Sequence, residues 1–254
     1  ITPVVVDPET TFLILNVSFK YDSNKTTLAL SQVESEVVSA ITSYDTNNLG
    51  EFEKLFRHSQ VTRLVDDANT SILNNTTNVT LGKLFTPTTT GSTSYTINFN
   101  NAFYNPVSGY QNSVIASTGF YIASASTEYF FDDDGSGNLR IYSIAVGVKT
   151  YYSSTAGTVD YVNGLITING ILISSASNVD GVTSTQIRIT ALSDSNDIIP
   201  VRNQLLEIDF ANSTITAKVD AAATTGIGYT TTTTGTTTST TVNTTPSTTS
   251  SSSY

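Results

Sequence analysis

The first part of the chain changes from the period of a strand to the period of a helix and back. Between Thr11 and Tyr21 every second residue from Leu13 onward is apolar, which is the pattern of a half-buried β-strand. From Val33 to Tyr44 the apolar residues fall at helical spacing, and Ser31 with Glu34 predicts a capping box at the start of this helix.

A second, shorter helix is predicted by the apolar residues between Val61 and Ala68, with Ser59 as its N-cap. Residues 71–85 then have the pattern of a strand. The order predicts a strand–helix–helix–strand unit over residues 1–86, with both helices on one face of a small sheet.

Beyond residue 90 the helical period does not return. Residues 87–222 contain short alternating runs separated by turn signals, which is typical of antiparallel strands with one face in water. Asn163-Gly164 and Asn169-Gly170 each predict a tight hairpin with a type I′ turn. We therefore expect an α+β protein whose second lobe is a mostly antiparallel, β-rich sandwich or curled sheet.

The C-terminal segment, residues 223–254, has a different composition. From residue 224 onward, 22 of the 31 residues are Ser or Thr, and none is charged. Such a segment buries too little apolar surface to offset its ordering entropy. We expect a low-complexity tail that is disordered by itself or held by a partner.

Composition excludes several classes of function. The formal net charge is −10, and the 11 basic residues are scattered, which disfavours nucleic-acid binding. No apolar run is long enough to span a membrane, and no cysteine is present for a disulfide or a thiolate metal site. The chain contains no methionine and begins at Ile1, so we expect it to be a piece of a longer polypeptide.

The candidate chemical groups favour structural interpretations. His58 is the only histidine and has no nucleophile motif around it, so we expect a structural role. Asp132, Asp133 and Asp134 begin a run that resembles a calcium loop, but position twelve is Ser143 where a glutamate is needed. We expect a β-hairpin loop there, no catalytic residues, no resident metal and no cofactor.

The segment from Ser195 to Gln204 joins two well-patterned strands and combines a turn, apolar residues and an arginine. In one interpretation it is a connector in which Asp197 and Arg202 form a surface ion pair. In the other it is a docking loop with Arg202 as an anchor. The residues proposed for the interface are Asp197, Pro200, Arg202 and Asn203.

Several blocks, in order, resemble the baseplate wedge proteins of T4-like contractile-tailed phages, within the wider baseplate J-like family. They cover about residues 5–220 and comprise Asp7-Pro8-Glu9, Phe12–Val17, Tyr21–Thr26, Asn48-Leu49-Gly50 with Phe52, Phe56-Arg57, Gly157–Tyr161, Gly164-Leu165-Ile166 and Ser195–Asn203. The Ser/Thr-rich tail departs from the pattern of that family.

The resemblance implies the C-terminal portion of a wedge subunit. Such a protein has no enzymatic activity, pairs with sister copies to build a ring around the tail hub, and binds other wedge and hub proteins. It is located in the phage tail baseplate, is assembled in the host cytoplasm and rearranges when the sheath contracts. The alternative is an extracellular β-rich adhesin or surface-layer module, with calcium bound at Asp132–Asp134.

Overall fold

The structure is a computed structural model that describes residues 9–123, 125–178 and 183–220. The helices are α1 (Leu30–Asn48) and α2 (His58–Asp67). The strands, in chain order, are β1 (Glu9–Tyr21), β2 (Ile72–Phe85), β3 (Thr93–Asn98), β4 (Ile115–Ser117), β5 (Phe120–Ile122), β6 (Glu128–Asp133), β7 (Asn138–Ala145), β8 (Val148–Asp160), β9 (Leu165–Ile171), β10 (Ile173–Ala176), β11 (Ile187–Leu192), β12 (Gln204–Ile208) and β13 (Thr214–Val219).

The predicted strand–helix–helix–strand start is confirmed. β1 pairs antiparallel with β2 along most of its length, and its alternating apolar residues are buried on one face. Helix α1 contributes four buried residues and α2 contributes two, at the spacing the sequence indicates. The buried residues of the two helices are Val33, Val37, Ile41, Tyr44, Val61 and Val65.

The described strands form one mixed sheet instead of two separate ones. Its main path runs β12-β1-β2-β11-β4-β6-β7-β8-β9-β3. β12 and β13 both lie parallel to β1, β12 beside its first half and β13 beside its second half. The other pairings are antiparallel, as predicted for the β-rich part. The antiparallel prediction is wrong for β12 and β13, because both complete the sheet of the first unit beside β1. The predicted tail, residues 223–254, lies outside the described residues.

Helix α1 is not capped as the sequence predicted. The N-cap is Ala29, and its N–H donates to the Gln32 side chain at 2.8 Å. Glu34 instead accepts from the N–H of Ala217, and Asp45 accepts from the N–H of Ile208. The predicted Ser31–Glu34 box is therefore wrong, because the Glu34 carboxylate bonds edge strand β13 instead. Glu34 and Asp45 cover backbone donors of β13 and β12 that could otherwise pair with a strand from another molecule.

The two predicted Asn-Gly turns have different outcomes. β8 and β9 do form a hairpin, but its loop has four residues, and only Gly164 has positive φ, at 65°. Asn169-Gly170 lies inside β9, where Thr93 faces Ile171 and Tyr95 faces Ile168. The second hairpin prediction is wrong, because the extra residue opposite β3 is accommodated as a β-bulge.

The two-residue turn of the sheet occurs where the sequence did not indicate it. Val146 and Gly147 join β7 to β8 with φ of 50° and 75°, the positive values that a type I′ turn requires at both positions. A β-branched residue at positive φ is an outlier, so propensity rules do not predict a turn at this dipeptide.

Candidate interaction surface

The connector between β11 and β12, defined here as residues 194–203, is tied to the rest of the protein at both ends. At its start the N–H of Asp194 donates to the carbonyl of Ala102 at 2.9 Å. At its end the carbonyl of Asn203 accepts from the N–H of Glu9 at 3.0 Å. The connector therefore links β1 of the strand–helix–helix–strand unit to the β-rich part.

Asp197 anchors the connector to the N-terminus of α2. One carboxylate oxygen accepts from the Arg57 guanidinium at 2.8 Å, and the other accepts from the backbone N–H of His58 at 2.9 Å. The hydrogen bond from Arg57 and then that from His58 lower the pKa of Asp197. A carboxylate at a helix N-terminus satisfies an otherwise unpaired donor and complements the helix dipole.

This contact corrects two expectations. Asp197 does not pair with Arg202, since its partner is Arg57. Ser59 is not the N-cap of α2, because the helix begins at His58 and the distant Asp197 accepts the first free N–H. A backbone bridge reinforces the contact: Phe56 and Ile198 exchange hydrogen bonds of 3.0 and 3.1 Å.

Asn101 holds the middle of the connector, and sequence reasoning missed it. Its amide nitrogen donates to the carbonyl of Ile199, and its amide oxygen accepts from the N–H of the same residue, both at 3.3 Å. The Asn100-Asn101 pair, with Asn100 at a φ of 56°, was the available signal for an unusual turn. Asn101 and Asp197 together fix the backbone of the connector against two separate elements.

The outer side of the connector faces solvent. Ile199 is 63% exposed, Val201 is 38% exposed, and Arg202 and Asn203 are also exposed, whereas Pro200 is half-buried. No hydrogen bond or ion pair of the Arg202 side chain occurs within the part of the chain that the structure describes. The structure thus gives Asp197 an internal partner and leaves Arg202 presented outward.

Gln204 secures the end of the connector from inside. Its side chain is buried, donates to Thr11 and to the carbonyl of Phe99, and accepts from the N–H of Val201 at 3.2 Å. Since a buried amide is costly without partners, these bonds fix the point where the connector enters β12.

His58 has the structural role that the sequence predicted. Its Nε2 lies 2.7 Å from the carbonyl oxygen of Thr77 on β2. Because a carbonyl only accepts, this nitrogen carries the proton. The bond joins the first turn of α2 to the sheet beneath it.

The three successive aspartates form part of the predicted hairpin, and each has its own set of protein donors. Asp132 is 2% exposed and contacts Arg140 at 2.9 Å and Lys149 at 2.5 Å. Asp133 is buried on the opposite face of β6, where it accepts from the N–H groups of Val114 and Ile115 at 2.8 Å.

Asp134 lies in the hairpin loop itself. Partial burial acts to raise its pKa, but the hydrogen bonds from Asn138 and Ser136 outweigh burial and lower the pKa. The three carboxylates therefore bond to separate protein donors and do not share one binding point. Among residues 9–123, 125–178 and 183–220, no group of three or more His, Asp or Glu side chains could hold a metal ion.

The search for membrane spans among the described residues found no helix with the length and apolar character needed to cross a bilayer.

Comparison with known proteins gives one family match. Residues 9–84 are similar to the family described as baseplate structural protein gp6, C-terminal domain III. The matched segment runs from the first residue of β1 to the penultimate residue of β2, so it coincides with the strand–helix–helix–strand unit. No curated protein sequence matches the chain significantly. The family match supports a structural protein of a phage tail baseplate.

Proposed function

We propose that this chain is part of a baseplate wedge subunit of a contractile-tailed phage, within the baseplate J-like group. The subunit self-associates to build the ring around the tail hub, binds other wedge and hub proteins, and changes contacts when the sheath contracts. It is assembled in the host cytoplasm and has no enzymatic activity. The family match over residues 9–84 is the observation that carries this proposal.

The connector gives the proposal a specific surface. Its backbone is fixed by Asp197 and Asn101, and it presents Ile199, Val201 and Arg202 to solvent. Preorganised apolar groups beside an arginine that has no partner among the described residues are the composition of an interface anchor. On a chain of net charge −10, an outward cation is complementary to the surface of a sister copy or of another acidic subunit.

The contacts that hold the connector also suit a surface that changes partners. The Arg57–Asp197 pair is partly exposed, and pairs of this kind contribute only about 0–1 kcal/mol. A contraction step needs two arrangements of similar free energy. The exposed side of the connector can therefore exchange contacts while the hydrogen bonds of Gln204 keep its end in place.

Fractionation of purified virions tests the proposal. Tails of the phage that encodes the chain are disrupted, baseplates are isolated by sedimentation, and peptides from residues 9–220 are quantified against those of capsid and sheath proteins. We expect these peptides to be enriched in baseplates at a stoichiometric ratio to other baseplate subunits. Their absence from the tail, or their enrichment in a host surface fraction, would contradict the proposal.

A further inference from the structure

The hairpin formed by β7 and β8 extends beyond the sheet. β6 pairs with β7 only from Leu139 to Tyr142, and β9 pairs with β8 only from Gly157 to Asp160. Residues 143–150, named here the arm, therefore pair only with each other among the described strands. A two-stranded ribbon of this kind has little core of its own.

The tip of the arm is apolar and exposed. Ile144 is 55% exposed, Val148 is 63% exposed, and Val146 at the turn is fully exposed. Val146 is also the β-branched residue held at a φ of 50°. Strained backbone conformations cluster at functional sites, so this exposed apolar tip is a candidate contact site.

The arm presents no free charge. Its one charged residue is Lys149, which bonds Asp132 at 2.5 Å and lies 3.8 Å from the centre of the Tyr142 ring. Partial burial acts to lower the pKa of Lys149, but the Asp132 carboxylate outweighs burial and raises it. The outward face of the tip is therefore neutral.

A groove of about 330 Å³ lies at the base of the same hairpin. It has no charged residue in its wall, and its apolar side chains come from β5, β7, β8 and β9 and the residue after β9: Ile122, Ile141, Tyr152, Ala156, Ile171 and Leu172. Its volume corresponds to on the order of ten water molecules of liquid. The groove thus offers an uncharged wall of apolar side chains interspersed with the polar Ser153, Thr155 and Asn169.

The arm cannot fill the groove of its own chain. Val146 lies six residues along β8 from Tyr152 at the groove, which is roughly 20 Å at the rise of a strand. The β7–β8 ladder keeps the tip pointed away from the groove. The tip can therefore enter this groove only in another copy of the chain.

We propose that the Val146 tip of one copy docks into the groove of a second copy. This inference deepens the self-association in the proposed function and names its contact. Two chains of net charge −10 repel each other, and the tip and groove are surfaces where neither copy presents a free charge. Because tip and groove are different surfaces, the contact is heterologous and joins copies head to tail, which gives a ring when the rotation between copies closes.

Sedimentation velocity of the complete 254-residue chain tests the proposal through two single variants. Val146→Asn removes the apolar tip with a residue that tolerates positive φ. Thr155→Glu places a carboxylate in the groove wall at an exposed position. We expect the wild type to form larger species as its concentration rises. The association constant of each variant should be at least tenfold lower than that of the wild type.

The matched controls are Val107→Asn, which removes another exposed valine, and Ser154→Glu, which adds the same charge at an exposed neighbour that does not line the groove. Both should associate as the wild type does.

Mixing the two variants is the decisive experiment. The Thr155→Glu copy keeps its tip and the Val146→Asn copy keeps its groove, so an equimolar mixture should form a 1:1 dimer and nothing larger. A wild type that stays monomeric, variants that associate normally, or a mixture that stays monomeric would each overturn the contact. Membership of the baseplate is measured separately on virions, so either proposal can fail alone.

Discussion

The guanidinium of Arg57 lies 2.8 Å from the carboxylate of Asp197, a residue 140 positions further along the chain. The same carboxylate accepts the first free N–H of α2. One side chain therefore ties the connector to the helical layer of the unit that matches the baseplate family. The position of Arg202 on the outer side of that connector depends on this contact.

Removing Asp197 should destabilise the protein. Asp197→Ala loses the helix cap and the ion pair together, and we expect the free energy of unfolding to fall by about 1–2 kcal/mol. Asp197→Asn keeps an oxygen that can accept from His58, so its loss should be smaller. Urea unfolding measures both. Asp194→Ala, at the exposed start of the connector, is the control, and an equal loss there would contradict the assignment.

The contribution of Asp197 should depend on pH in one direction. Its pKa is lowered in the folded state, and an unfolded aspartate titrates near pH 4. The stabilisation is therefore present above about pH 4 and is lost as pH falls through the folded pKa. The unfolding free energies of wild type and Asp197→Asn should differ by up to about 1 kcal/mol at pH 6, because the pair is solvent-screened, and should converge near pH 2. A constant difference across that range would refute this explanation.

A second long-range contact crosses the sheet on its other side. Arg188 on β11 passes over Gly82, reaches Asn212 at 2.6 Å and lies 3.5 Å from Asp209. We expect Arg188→Ala to cost about 1–3 kcal/mol, because Asp209 is left largely buried without its cation. The double variant Arg188→Ala with Asp209→Asn should recover part of this loss in urea unfolding. Simple additivity of the two changes would show that the pair is not coupled.

The turn at the tip of the arm offers a prediction of opposite sign. Replacing Val146 by Asn, which tolerates positive φ, should raise the free energy of unfolding by about 1 kcal/mol. Thermal or urea unfolding checks it. A variant that is more stable but associates less separates a contact residue from a structural one, whereas a loss of stability would argue that Val146 supports the fold.

The charge at Arg202 should affect assembly and not folding. In a complementation assay with the full-length gene, we expect Arg202→Glu to lower the number of assembled tails by tenfold or more, while Arg202→Lys retains most of it. Both variants should unfold at the wild-type urea concentration, because Arg202 is exposed. Normal assembly with Arg202→Glu would remove Arg202 from the interface.

Local pattern predicted the local structure well. The alternation in β1 and the helical stripe of α1 follow from burial on one face, and both appear where the sequence places them. The hairpin after the three aspartates also follows from its glycines and asparagine. These features depend on residues close together in the chain.

Long-range features could not be predicted in the same way. The parallel placement of β12 and β13 beside β1, and the pairing of Asp197 with Arg57, join residues that are far apart in the sequence. The Val146-Gly147 turn contradicts local preference, so propensity rules could not find it. The Ser31–Glu34 capping motif was present, but Glu34 bonds the edge of β13 instead.

Cross-linking mass spectrometry on isolated baseplates tests the central claim most directly. The claim is that this chain is a baseplate component that contacts sister copies and neighbouring subunits. We predict cross-links between peptides of this chain and other baseplate proteins. We also predict cross-links between pairs of residues that lie too far apart within one chain for the linker to span, which identify contacts between two copies. Isolated baseplates in which the chain forms only links explained by a single copy, and none to another subunit, would contradict it.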